Sequence, residues 1–263
     1  MKRATIIAAV VALHAAAAAH ANDLVPTGTL RATYIATNPV QAFIDPLTKE
    51  TRGPAAEIAR ALSQKLGVPL DIKGARGPAG VLDSVKQKQA DIGFAAYDAI
   101  RAAEVDFSQP YSLAQNSYLV LDGSPLRSVD DLDRPGHRIG VAERDAGDLF
   151  LTRTLKSAEF RRNPGGNIEV ALKQLQAGEI HAYAANRQRL TELTAKTPGV
   201  RIVSGNFYGV EQSVIVAKGN KALLEAVDKL LDEARSSGLI AASIARAGLS
   251  GVDVAPPRDG PRR

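Results

Sequence analysis

The sequence has no cysteine, no tryptophan and a single methionine, and aromatic residues make up only 5% of it. Without thiols the chain has no disulfide framework, no thiolate metal site, no cysteine nucleophile and no lipid attached through an N-terminal cysteine. Long apolar runs are equally scarce. The one extended run, Ala4 to Ala19, is interrupted by His14 and followed by the polar Asn22 and Asp23, so it is short for a membrane span of about 20 residues. Lys2 and Arg3 precede it and Ala19-His20-Ala21 follows it. A positive start, an apolar stretch and a small-x-small site together predict a signal peptide, residues 1–21, cleaved after Ala21; a retained N-terminal anchor is the alternative. The mature chain is expected to be soluble and located in the periplasm.

Charge of one sign is also modest. The formal net charge is +5, and loss of Lys2 and Arg3 with the leader lowers +5 to +3. Much of that excess lies in the tail, at Arg258, Arg262 and Arg263, and no basic run is interleaved with aromatics. Nucleic acid is therefore not an expected partner. His137 and His181 show no metal-ligand spacing with carboxylates, so neither a metal nor a cofactor is expected.

Short apolar stretches alternate with segments of helical periodicity along the whole chain, the signature of an α/β protein with mainly parallel sheets. Leu30 to Ile35, Val68 to Ile72 and Ala90 to Phe94 read as strands. The helices Gly53 to Leu66 and Gly80 to Gln89 separate them, completing a βαβαβ unit. A middle segment repeats the pattern: a capped turn at Ser128 to Leu132, a strand at Arg138 to Val141, helices at Asp148 to Leu155 and Asn167 to Gln176, and a strand at Ile180 to Ala184. The strands Ser117 to Leu121 and Ser213 to Val216 flank it. Ala222 to Ser236 and Leu239 to Ala247 read as closing helices. The expected organisation is a discontinuous first lobe, residues 22–121 and 216–251, with a second lobe, residues 122–215, inserted and two crossings acting as a hinge. Residues 252–263, rich in proline and charge, read as a disordered tail.

The stretch Arg101-Ala-Ala-Glu-Val-Asp-Phe-Ser-Gln-Pro-Tyr111 resembles the Arg-x-x-x-Val-Asp-Phe-Ser-x-Pro-Tyr pattern of the family 3 extracellular solute-binding proteins, which are type II periplasmic binding proteins serving ABC transporters. Gly28 to Arg31, Ala61 to Val68 and Val216 to Asn220 are further similar stretches, and the resemblance runs from about residue 27 to about 250. It implies a two-lobed Venus-flytrap fold and a small carboxylate-bearing ligand, an amino acid or related solute, held in a cleft between the lobes. The implied partner is a membrane ABC transporter permease, and the protein is expected to act as a monomer with no catalytic residue.

The resemblance also nominates ligand-binding residues. Arg101 matches the family arginine, whose planar guanidinium offers two parallel donors to a carboxylate. Ala96 and Asp98 match the positions just before it, where a backbone group and a hydroxyl usually assist. Asp98 cannot donate to a carboxylate, so it pairs with Arg101, binds an ammonium group or points away. Arg144 and Asp145 occupy the loop before a second-lobe helix, with Arg144 a contact for an acidic ligand and Asp145 a contact or a plain helix cap. Asn186 falls where an aspartate usually meets the ligand ammonium, a charge that Glu211 or Asp98 would have to replace. Val40 stands at the position of a ligand-packing aromatic, for which Phe43, Tyr34, Tyr97 or Tyr208 could substitute. Two other functions remain open at the level of sequence: a cyclohexadienyl dehydratase-like enzyme using Glu211 or Asp98 as an acid, and a receptor feeding a separate sensor.

Overall fold

The computed structural model describes residues 24–258, apart from residues 37, 144, 165 and 166. The expected signal peptide, the candidate Arg144 and the last residues of the tail lie outside the described residues. The chain divides into two compact units, unit 1 formed by Met1–Ser112, Glu211–Gly248 and Val254–Arg263, and unit 2 by Leu113–Val210 and Leu249–Asp253. The chain thus crosses between units four times. The division falls nine residues before the expected Leu121 boundary and five before the expected one at Val216, because the long strands there continue across it.

Unit 1 is built on β1 (Leu30–Ile35), β4 (Leu70–Ala75) and β5 (Ile92–Ala96). β1 lies between the other two and pairs parallel with both. Next to β5 runs β11 (Tyr208–Ala217), antiparallel, with Gln212 opposite Ala96. Parallel strands need crossovers on the sheet faces, supplied here by α1 (Pro54–Leu66) and α2 (Gly77–Lys86). Pro54 opens α1 where a missing N–H is harmless, and Ile58 and Leu62 bury its inner face. Burial of side chains of this size contributes about 1.5–3 kcal/mol each. α2 sits close on β5: a Cβ at Gly93 would meet Val81 Cγ1 at 2.8 Å and Ile215 Cγ1 at 2.9 Å. α7 (Lys221–Ser236), with Leu223, Val227, Leu230 and Leu231 inward, and α8 (Leu239–Arg246) pack on α1. A two-residue hairpin, β2 (Phe43–Ile44) with β3 (Thr51–Arg52), precedes α1.

Unit 2 repeats this plan. β7 (Arg138–Ala142) lies parallel between β8 (Glu159–Asn163) and β9 (Ala182–Asn186). β9 is flanked by the antiparallel β6 (Val105–Leu121), with Asn116 opposite Asn186, and β10 (Val200–Ile202) pairs with β6 in turn. The helices are α4 (Ala146–Thr154), α5 (Ile168–Gln176) and α6 (Arg187–Thr194). Both units therefore carry a parallel three-stranded centre with its first strand in the middle and one antiparallel strand beside the third.

The tail differs from expectation. Residues 252–258 are not structureless: β12 (Val252–Val254) pairs with β6, Val252 and Ala255 are buried, and the Ala255 N–H donates to the Tyr111 carbonyl at 3.2 Å. Two apolar residues placed between charges and prolines are enough to seat it.

Candidate functional site

In each unit the chain leaves the carboxyl end of a central strand and turns at once into a helix whose first N–H groups need acceptors. That edge of a parallel sheet is where α/β proteins bind ligands, and Ala96, Asp98, Asp145 and Asn186 stand there.

In unit 1, β5 ends at Ala96 and Asp98 is the N-cap of the short α3 (Ala99–Glu104). Asp98 Oδ1 accepts from the N–H of Ile100 at 2.9 Å and of Arg101 at 3.2 Å. Asp98 thus holds the backbone of Arg101 and not its guanidinium. Arg101, half-buried, folds its side chain back so that Nη1 donates to the Ala96 carbonyl at 3.0 Å. Among the described residues no carboxylate pairs with that guanidinium.

Two buried amides stand behind this corner: Gln212, which the sequence offers together with Glu211 as a residue that could face the cleft, and Gln41, which sequence reasoning missed. Gln41, fully buried, donates from Nε2 to Gln212 Oε1 at 3.0 Å and accepts from the Ile35 N–H at 3.0 Å. Gln212 is the partner of Ala96 across the β5–β11 ladder. Their pairing ties the loop after β1 to the strand beside Ala96. Gly53 keeps this loop close: its φ of 111° suits only glycine, and a Cβ there would meet the Gln41 carbonyl oxygen at 2.8 Å. The only sequence signal for Gln41 was a polar residue inside an apolar stretch.

Val40 is 1% exposed, so its side chain is packed inside unit 1. Of the aromatics that could substitute, Tyr34 is core, Tyr97 packs edge-on against Phe107 with centroids 5.3 Å apart, and Phe43 is half-buried in the hairpin. Glu211 is engaged by the tail: Arg258 Nη2 donates to its Oε2 at 2.6 Å. A carboxylate already matched by an internal guanidinium is a poor partner for a ligand ammonium and a poor proton donor for an enzyme.

In unit 2, β7 ends at Ala142 and Asp145 is the N-cap of α4, accepting from the Asp148 N–H at 2.7 Å. Burial pushes the Asp145 carboxyl above its ordinary range, and the Asp148 and Gly147 N–H groups together with the charge of Arg189 oppose that rise. Asp148, also buried, is matched by Arg162, whose Nε lies 2.9 Å from Oδ1. β9 ends at Asn186, which caps α6 through its Oδ1 and the Arg189 N–H at 2.9 Å. Opposite it on β6, the buried Asn116 donates to the Ala114 carbonyl at 3.1 Å. The buried Tyr183, pushed up chiefly by desolvation, feels both Asp145 and Arg189. Tyr208 stacks on Phe150 at 4.2 Å. Arg101, Asp98 and Ala96 are thus brought together in unit 1, as are Asp145 and Asn186 at neighbouring strand ends in unit 2.

Solved structures share this architecture. An amino acid ABC transporter substrate-binding protein from Streptococcus pneumoniae, bound to L-arginine, superposes with a TM-score of 0.65 at 21% identity, covering 88% of this chain and 99% of that one. An ancestral arginine-binding protein bound to glutamine gives 0.61 at 26% identity, over 83% and 97%. Both are two-lobed amino-acid-binding proteins, and the fold of this chain is the two-lobed Venus-flytrap fold of type II periplasmic binding proteins. Among curated proteins, a probable histidine-binding protein of Neisseria gonorrhoeae is 24% identical over 52% of this chain and 52% of its own length. Another from Campylobacter jejuni is 26% identical over 60% and 62%. The chain thus spans between half and two thirds of the length of the curated relatives it matches. The model of the bacterial extracellular solute-binding proteins, family 3, matches residues 30–247, and the chain belongs to that family.

Proposed function

We propose that this protein is the periplasmic receptor of an ABC transporter, and that it binds an amino acid or a related small carboxylate-bearing solute and hands it unchanged to the membrane permease. The observation that carries this reading is Arg101: half-buried, anchored by one nitrogen to the Ala96 carbonyl, and matched by no carboxylate among the described residues. A guanidinium held in that way keeps donors in a fixed plane for a bidentate anion. Arg101 supplies the carboxylate contact, with the backbone at Ala96 and Asp98 fixing it, while Arg144, Asp145 and Asn186 supply the unit 2 contacts. The names of the relatives, for histidine, arginine and glutamine, support a polar amino acid.

The protein works as a monomer in this reading. The test is mass spectrometry of ligand released from the purified mature protein, followed by a thermal-shift screen of amino acids and other small carboxylates, since a bound ligand raises apparent stability by mass action. A ligand that shifts the midpoint and is recovered chemically intact supports the proposal. Failure of every amino acid and carboxylate to bind, or recovery of a converted product, rejects it.

A further inference from the structure

Unit 2 contains a cavity of about 460 Å3 away from the strand ends that hold Asp145 and Asn186. Its wall is mostly apolar, formed by Leu121, Pro125, Leu126, Leu175 and Ile180, and two imidazoles, His137 and His181, complete it. Leu175 and Ile180 are 2% and 1% exposed, so the floor is fixed core. The volume and the mix of an apolar wall with a few convergent polar groups are those of small-molecule sites.

The backbone sets the proton positions on both rings. His137 Nδ1 lies 3.2 Å from the Leu132 carbonyl oxygen, which only accepts, so Nδ1 carries a proton and, in the neutral ring, Nε2 keeps its lone pair. His181 Nδ1 accepts the Arg138 N–H at 2.9 Å, so Nδ1 keeps its lone pair and Nε2 carries the proton. The ring centroids are 5.6 Å apart. The two Nε2 atoms, not tied to backbone, therefore offer one acceptor and one donor. Among the described residues no lysine or arginine side chain lines the cavity, the nearby Arg201 and Arg138 guanidiniums being tied up by the Ser124, Leu126 and Gly178 carbonyls, and the Asp122 carboxylate in the lining disfavours an anionic head group. Burial, followed by the neighbouring Arg138 charge, lowers the His181 pKa and so favours its neutral form.

We infer that this cavity is a second small-molecule site, which takes a compact apolar or aromatic body bearing a neutral head that both donates and accepts, of the carboxamide kind. The amide N–H meets His137 Nε2 and the amide oxygen meets the His181 Nε2–H, while the body fills the leucine and isoleucine floor. This site is independent of Arg101 and of the transported solute.

The test uses the mature protein and benzamide as the probe, read by two-bond proton–nitrogen NMR of the imidazoles. Free protein should show opposite tautomers at His137 and His181. Benzamide should then produce saturable shifts at both Nε2 nitrogens, and His137→Phe should weaken it roughly tenfold for loss of one hydrogen bond. Benzoate should bind roughly tenfold or more weakly than benzamide on the same ground. Ser124→Trp, which places a bulky ring in the lining, should abolish the shifts at an unchanged thermal midpoint. Absence of saturable shifts, equal binding of benzoate, or an undiminished response in His137→Phe overturns the inference. Loss of benzamide binding in Arg101→Ala does so too, because the probe would then sit at the carboxylate site.

Discussion

Asp98 and Ala96 together place one guanidinium: the carboxylate of Asp98 fixes the backbone from which the Arg101 side chain starts, and the Ala96 carbonyl fixes where it ends. Replacing Arg101 by alanine should therefore remove the anion partner outright, weakening amino-acid binding by about 2–5 kcal/mol in calorimetry. Arg101→Lys should fall between, since an ammonium is a point charge without the planar fork. An unchanged affinity in Arg101→Ala removes this residue from the site. Asp98→Asn keeps an acceptor oxygen for the two N–H groups and should leave the melting midpoint near wild type. Asp98→Ala removes the cap, which costs about 1 kcal/mol, and should loosen ligand binding with it. Asn186 invites the converse change: Asn186→Asp preserves the α6 cap and adds a negative charge at a helix N-terminus. Affinity for α-amino acids should rise while affinity for carboxylates lacking an amino group should not, as competition calorimetry would reveal. A variant with no such preference places Asn186 away from the ligand.

Among the elements, the two units hold the same local device with different chemistry. In unit 1 Arg31, near the start of β1, receives Asp91 on both its backbone N–H and its guanidinium, with Nη2 at 2.6 Å from Oδ1. In unit 2 the equivalent Arg138, at the start of β7, meets His181, which accepts only the backbone N–H. The Arg138 guanidinium turns instead to the Glu179 and Gly178 carbonyls, each at 2.7 Å. Desolvation, with Arg138 and His137 nearby, lowers the His181 pKa below its ordinary value. A histidine kept neutral by folding takes up its proton more readily when unfolded, so its contribution to stability is present above about pH 6.5 and is lost as pH falls below it. The protein should lose melting temperature over that window. His181→Asp, restoring the unit 1 arrangement, should shrink the loss, with its advantage over wild type greater at pH 5.5 than at pH 7.5 in calorimetric scans. Equal slopes for the two proteins would show that another group governs acid sensitivity.

Elements differ, too, in how plainly the sequence displays them. β1, α1, β7 and the long α7 are legible because alternation or a helical stripe of aliphatics maps directly onto a buried face. β8 is not: Glu159-Phe-Arg-Arg-Asn163 is an edge strand with mostly exposed side chains, and edge strands carry charge that erases the strand pattern. The short helices α3 and α6 escape notice for a related reason, having almost no buried face of their own. Yet their caps, Asp98 and Asn186, are nominated as ligand residues by the family resemblance, and a polar residue at the end of a strand can serve a helix as well as a ligand. The Gln41–Gln212 pair is illegible since the residues lie 171 positions apart and only the folded β11 joins them.

For the whole molecule, the decisive departure is the tail, whose prolines and charges suggest disorder but which supplies both a strand and an ion pair. Its contributions separate along the chain. Arg258 matches Glu211, and Arg235 Nε donates to the Ala255 carbonyl at 2.8 Å. Val252 and Ala255 are 7% and 0% exposed, and the Gln115 N–H donates to the Gly251 carbonyl at 2.8 Å. A chain ended after Ala255 keeps the strand and the buried residues and loses, among the described residues, the Arg258–Glu211 pair. Partly exposed pairs of this kind contribute about 0–1 kcal/mol, so its midpoint of chemical unfolding should move little. A chain ended after Ser250 also loses the ladder bonds and the burial of Val252 and Ala255. That loss should amount to about 3 kcal/mol from the valine, the alanine and the ladder together. Because the lost residues belong partly to unit 2 and partly to unit 1, calorimetry of the shorter chain should show both units destabilised. A shorter chain as stable as the longer one would mean that the tail rests on the molecule without holding it.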